Sequence, residues 1–218
     1  MIRALVTFAF VALASLPARA IDIQQITSPG GIKAWLVEDH SIPFTALSLS
    51  FKGGASLDAP GKRGATSLMT ALLEEGAGEM NSVQFAEAVE GLGARLDFDA
   101  GDDSLIVSAR ALTENRDQAA ELLRLALTEP RFDADAVERV RGQLQSVIRN
   151  EATDPEAIAA KELARQAWGD HPYATSVNGT AESVAALTRD DLIDAKNRIL
   201  ARDRVVVAAA GDISAAEL

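Results

Sequence analysis

The chain has 218 residues, 32 acidic against 21 basic side chains, a net charge of −11 and no cysteine. An acidic balance of this size argues against nucleic acid and against anionic membrane surfaces as partners. Without disulfides the stability must come from a buried core, and the length suffices for one substantial core.

In chain order, the first segment is a leader. Arg3 gives a short basic start, residues 4–16 form an apolar run, and Pro17-Ala18-Arg19-Ala20 carries an A-x-A cleavage pattern. This predicts a secretory signal peptide over 1–20, too short for a membrane span, with Ile21 as the mature start and a periplasmic or secreted location. Its removal leaves 19 basic against 32 acidic residues, a net charge of about −13. The acidic mature chain mildly favours basic ligands, and no later apolar run reaches the roughly 18 residues that span a bilayer.

Residues 23–27 and 33–38 read as strands joined by the turn Ser28-Pro29-Gly30-Gly31. Residues 44–52 alternate as a half-buried strand. After a loop at 53–61, residues 63–75 read as a helix closed by Gly76-Ala77-Gly78. Asn81 caps the next helix, with Gln84 as its capping-box partner, and that helix stops at Gly91-Leu92-Gly93. Residues 95–100 and 104–112 form a second strand pair around Gly101-Asp102-Asp103. Helices follow over 115–128 and 133–150. Asp154 and Pro155 open another that reaches Trp168. After a loop at 169–180, Thr188 caps a helix over 189–200, and residues 204–210 make a last apolar strand. Early strands, intervening helices and a returning strand predict an α+β fold: a mostly antiparallel sheet with helices packed on one face.

The segment Gly64-Ala-Thr-Ser-Leu-Met-Thr-Ala-Leu-Leu-Glu-Glu-Gly-Ala-Gly resembles the zinc helix of the pitrilysin/insulinase metallopeptidases, whose motif is H-x-x-E-H. Asp170-His-Pro-Tyr through Leu192, the closing strand with Gly211-Asp212, and Asn150-Glu-Ala-Thr-Asp-Pro-Glu are similar to further blocks of that family in the same order. The resemblance covers nearly all of 21–218 and implies one domain of a two-domain clamshell, the second, similar domain being absent from this chain. In register with the motif, the two histidines fall on Ser67 and Ala71 and the glutamate on Thr70. The third ligand, a later glutamate, falls on Val147, or on Ser146 if the register slips by one. A catalytic zinc needs three protein ligands and an open fourth place, and a nearby carboxylate to take the proton from its water. Neutral hydroxyls, a methyl group and an isopropyl group supply none of this. The catalytic and metal sites are therefore expected to be vacant and no cofactor is expected, zinc belonging to the active relatives. With the ligands gone, Ala71 and Val147 are expected to fill the former site as dry core.

The resemblance implies a zinc-less, non-catalytic subunit that partners an active insulinase-family subunit and helps to bind extended peptide. Two other readings stay open: an active zinc peptidase with unconventional ligands, and a stand-alone peptide-binding module. Elsewhere the ordinary readings prevail. His40 and His171, the two histidines, lie too far apart in sequence to form a zinc site by spacing. Glu74 and Glu75 read as solvated residues at a helix end. Ser67 has no base near it in sequence to make it a nucleophile. The Gly91–Gly93 segment reads as a helix stop rather than a phosphate cradle. Asp97, Asp99, Asp102 and Asp103 lack the order of ligands a calcium loop needs, and read as a solvated hairpin.

Overall fold

A computed structural model describes residues 21–218; the leader expected over 1–20 lies outside the described residues. Strict alternation builds the sheet. In β3 (Phe44–Lys52), Leu47, Leu49 and Phe51 share one face while Ser48 and Ser50 take the other. The same division runs through β2 (Lys33–Glu38), β6 (Arg95–Ala100), β7 (Ser104–Leu112) and β8 (Val205–Gly211). Ala34, Val207, Leu49, Val107 and Phe98 stand in register across these strands on the covered face. Trp35, Ala208, Ser48, Ser108 and Asp97 form the neighbouring row on the opposite face. With β1 (Gln24–Thr27) the order is β1-β2-β8-β3-β7-β6. All pairs are antiparallel except β2 with β8, so the final strand is inserted between the second and third.

Seven α-helices lie among the described residues: α1 (Ala65–Ala71), α2 (Ser82–Gly91), α3 (Arg116–Thr128), α4 (Ala134–Glu151), α5 (Pro155–Trp168), α6 (Ala181–Ala185) and α7 (Arg189–Ile199). The apolar stripes of α1–α4, α6 and α7 close on the covered sheet face, whereas α5 buries no residue. Leu68, Met69, Leu72 and Leu73 from the α1 region meet Phe85, Leu123, Val140, Leu192 and Ile199, with Leu105 and Val107 beneath. Each such side chain, removed from water, contributes on the order of 1.5–3 kcal/mol. The expected α+β fold, with a mostly antiparallel sheet, is the one observed.

Three local expectations change. The helix expected over 63–75 keeps only Ala65–Ala71 as α-helix. The chain then tightens into turns, with Leu72 N–H donating to Met69 O and Leu73 N–H to Thr70 O, which keeps both leucines fully buried. Gly76 sits at φ 111 and opens a two-stranded hairpin, β4 (Gly76–Ala77) with β5 (Met80–Asn81), a backbone conformation that no helix continues through. The loop expected over 169–180 holds a 3₁₀ turn at Pro172–Ala174, and the short helix α6, which the sequence reading left unassigned, follows it.

Candidate functional site

The N-terminal end of α1 is fixed from outside the helix. Gly64, at φ 97, offers no side-chain cap. Asp58 takes that role: its carboxylate accepts from Gly64 N–H (2.9 Å), Thr66 N–H (3.1 Å) and Thr66 Oγ1 (2.6 Å). The two N–H groups are orphan donors at the start of the helix, satisfied by one acid at its positive end. Burial pushes the Asp58 carboxyl up, against those hydrogen bonds and the charge of Arg63, which pull it down.

Arg63 ties three loops to this point. Its guanidinium donates to Asp102 Oδ1 (2.6 Å), to the carbonyls of Pro172 (3.2 Å), Thr175 (3.1 Å) and Ser176 (3.1 Å), and to the carbonyl of Ala55. Only 14% of its side chain is exposed. The 176–180 segment presses so closely on the helix start that a side chain at Gly64 would meet the Asn178 carbonyl, and one at Gly179 the Arg63 carbonyl. Sequence reasoning missed Arg63, because most of its partners lie more than 100 positions away, and Asp58, because it caps the helix from six residues ahead of Gly64 rather than from the N-cap position itself.

Along α1, Ser67 and Ala71 lie one turn apart on the side away from Leu68 and Leu72. Ser67 Oγ donates to Val177 O at 2.7 Å. Ala71 is exposed. Thr70 is 3% exposed, and its hydroxyl is the only buried side-chain polar atom without a partner among the described residues. On α4, Val147 is 45% exposed. Ser146 bonds back to Gly142 O (2.9 Å) and accepts from Arg149 (2.7 Å). The expected dry plug of Ala71 and Val147 is therefore corrected. Leu68, Leu72, Leu144 and Ile148 already occupy the core side of the two helices, and this leaves Ala71 and Val147 on the outer side.

These residues do not fit zinc. Ala71 and Val147 have no donor atom, Ser67 gives its proton to a carbonyl, and Thr70 is sunk below the surface. The nearest carboxylates are committed elsewhere. Glu151, at the end of α4, accepts from Asn178 Nδ2 (2.7 Å) and Ser176 Oγ (3.3 Å). Glu75 is not a solvated residue as expected: its side chain is 18% exposed and takes both arms of Arg139, at 2.8 and 2.5 Å, which hold its carboxyl below the usual range. Among the described residues no three His, Cys, Asp or Glu side chains gather where a metal could be held.

Beside this face lies an open cleft of about 540 Å³ between the α1 turn, α2 and β6. Phe85, Val89 and Leu96 form its apolar floor and wall, with Glu74 and Glu90 polar elements of its lining. Burial pushes the Glu74 carboxyl up, and the charges of Glu75 and Asp97 push the same way. No donor or cation among the described residues reaches it.

The two histidines are structural. His40 Nδ1 meets Asp212 Oδ1 at 2.6 Å, and Asp212 in turn accepts from Thr113 Oγ1 at 2.7 Å. The Asp212 partner raises the His40 imidazole above its ordinary range. His171 caps the 3₁₀ turn and stacks edge-on with Tyr173, ring centroids 4.4 Å apart. The acidic hairpin is partly tied down rather than free: Asp102 holds Arg63, Asp103 accepts from Ser56 and Tyr173, and Asp97 pairs with Arg95. Gly91–Gly93 is a helix stop, with Gly93 at φ 58 and its N–H bonded to Glu90 O.

A sequence description of the insulinase peptidases (peptidase family M16) matches residues 33–181, more than half of the chain. The chain belongs to the insulinase family. It is 27% identical over 209 residues to a protein of Helicobacter pylori named a non-peptidase homolog, YmxG, covering 96% of this chain and 48% of that one. It is also 27% identical over 203 residues to a protein of Mycobacterium leprae named an uncharacterized zinc protease, covering 92% of this chain and 45% of the other. A crystal structure of a peptidase M16 inactive domain from Pseudomonas fluorescens superposes with a TM-score of 0.85 at 30% identity, over 89% of this chain and 48% of that one. The chain thus spans about half the length of the relatives it matches. In this insulinase-family chain Ser67, Thr70, Ala71 and Val147 carry no imidazole and no carboxylate.

Proposed function

We propose that this chain is a non-catalytic, exported member of the insulinase family that works beside a zinc-bearing subunit and helps to hold extended peptide. The observation that carries the reading is the outer side of α1. The helix is anchored at full strength by Asp58 and Arg63, yet Ser67, Thr70 and Ala71 offer a zinc ion and its water nothing. A scaffold kept in order while its reactive groups are gone fits a role in shape and binding rather than bond cleavage. The names of the Helicobacter and Pseudomonas relatives, a non-peptidase homolog and an inactive domain, support the same reading. The edge strand β6 pairs with β7 alone, so its other side is free to accept a peptide as a further strand.

The test is purification of the tagged protein from its own cells. The expected result is a stoichiometric second insulinase-family chain with an intact H-x-x-E-H helix, and no zinc or chelator-sensitive peptidase activity in this chain alone. One zinc per chain with hydrolysis abolished by chelator, or a solitary protein in its native compartment, overturns the reading.

A further inference from the structure

We infer that His40 is a pH-sensitive clasp between the loop that joins β2 to β3 and residues 212–218, the segment that follows the last strand. Part of that segment is held by groups that keep their charge near neutral pH. Asp212 N–H donates to Phe44 O at 2.9 Å, and the Asp212 carbonyl accepts from Thr45 Oγ1 and from one arm of Arg116 on α3, each at 3.1 Å. Ile213 is buried in one cluster with Leu36 and Ala209. The rest of the hold is a group of acids around the imidazole. Asp212 places its carboxylate between His40 Nδ1 (2.6 Å) and Thr113 Oγ1 (2.7 Å). Glu38 of β2 brings Oε2 to 3.7 Å from His40 Nε2, while its Oε1 accepts from Ala215 N–H and from Gln24 Nε2, each at 3.2 Å.

The ring thus bridges two carboxylates from distant parts of the chain, and the other charges nearby do not replace it. Asp39, its neighbour in the loop, accepts from Ser41 N–H and Ser41 Oγ. Arg116 serves Glu217 at 2.9 Å and Asp117 at 3.4 Å, and Glu217 also accepts from Ser214 N–H at 2.8 Å. His40 is therefore the cation that Glu38 and Asp212 share. Protonated, it donates to Asp212 and offsets the charge of Glu38. Neutral, it keeps at most an uncharged hydrogen bond to Asp212 and leaves the two acids unbalanced. The hydrogen bond to Asp212 raises the imidazole pKa above its ordinary range, helped by the charges of Asp212 and Glu38. A folded-state value above the unfolded one places the stabilisation at low pH. It is complete below the ordinary histidine range and is lost as the pH rises through the raised value. The His40 side chain is 59% exposed, so the loss falls on the hold of residues 212–218 and not on the sheet.

The experiment is a pH titration of the purified chain by NMR. The sequence has two histidines, and His40→Gln assigns their ring signals. His40 should titrate above the ordinary value of about 6.5. Asp212→Asn, which keeps an acceptor for Thr113, should bring it down. Amide exchange of residues 213–218 is then followed across the same titration and corrected for the direct effect of pH on exchange chemistry. Protection should fall about threefold from the acid side to the alkaline side, the size expected of an exposed ion pair, while the amides of β3 and β7 stay constant. His40→Gln, a permanently neutral donor, should hold residues 213–218 at the weaker, alkaline level at every pH. Circular dichroism confirms that both variants are folded. A His40 signal titrating at or below the ordinary value overturns the clasp. So does protection that stays flat across the titration, or a pH dependence that survives His40→Gln.

Discussion

The start of α1 and its outer stripe are one helical turn apart and are finished to different standards. At the start, Asp58 satisfies the helix donors, Arg63 gathers four loop carbonyls and an aspartate, and two glycines let the backbones touch. On the stripe, Ala71 is bare and Thr70 keeps a buried hydroxyl that bonds to nothing. The contrast teaches that the contacts fixing the helix gather at its start rather than along its stripe.

The largest expected effect breaks the well-finished end. Arg63→Met should lower the free energy of unfolding by about 3 kcal/mol, because Asp102 and several carbonyls lose a partly buried cation together. Urea denaturation with an unchanged slope would measure it. A loss below about 1 kcal/mol would mean that the hub is ornamental. Next, the stripe can be refilled. The combined variant Ser67→His, Thr70→Glu, Ala71→His and Val147→Glu should take up one zinc per chain. Zinc at a hundred times the dissociation constant should then stabilise it by about 2.7 kcal/mol, read as a raised melting temperature, with the parent chain unmoved. If the variant stays indifferent to zinc, the backbone of α1 and α4 has drifted as well as the side chains. The smallest effect concerns the orphan hydroxyl. Thr70→Val removes an unsatisfied buried group at nearly constant shape and should raise the stability by up to about 1 kcal/mol. A destabilised variant would show that Thr70 has a partner after all, such as an ordered water.

Much of the fold was legible because strand alternation and helix capping are local. The strand over 44–52, the Asn81–Gln84 capping box and the Asp154–Pro155 helix start stand where the sequence put them. That Ser67, Thr70 and Ala71 carry no imidazole or carboxylate is read from the residues themselves. What escaped was long-range. Leu72 to Glu75 are good helix formers, so nothing nearby announced that Gly76 would turn the chain into a hairpin. Glu75 looks like any exposed acid until Arg139, 64 residues later, is folded against it. His40 finds Asp212 across 172 positions. Ala71 and Val147 looked like core by composition. The core side of their helices was already filled by leucines and an isoleucine, which only the packing reveals.

The placement of β8 has a consequence for biogenesis. Residues 205–211 are synthesised after every other strand of this sheet, yet they form the seam between β2 and β3. Until they arrive, both of those strands have an open side, and the β1–β2 pair has no hydrogen-bonded link to the rest of the sheet. The architecture must therefore close late, through contacts distant in the chain, a pattern that slows folding.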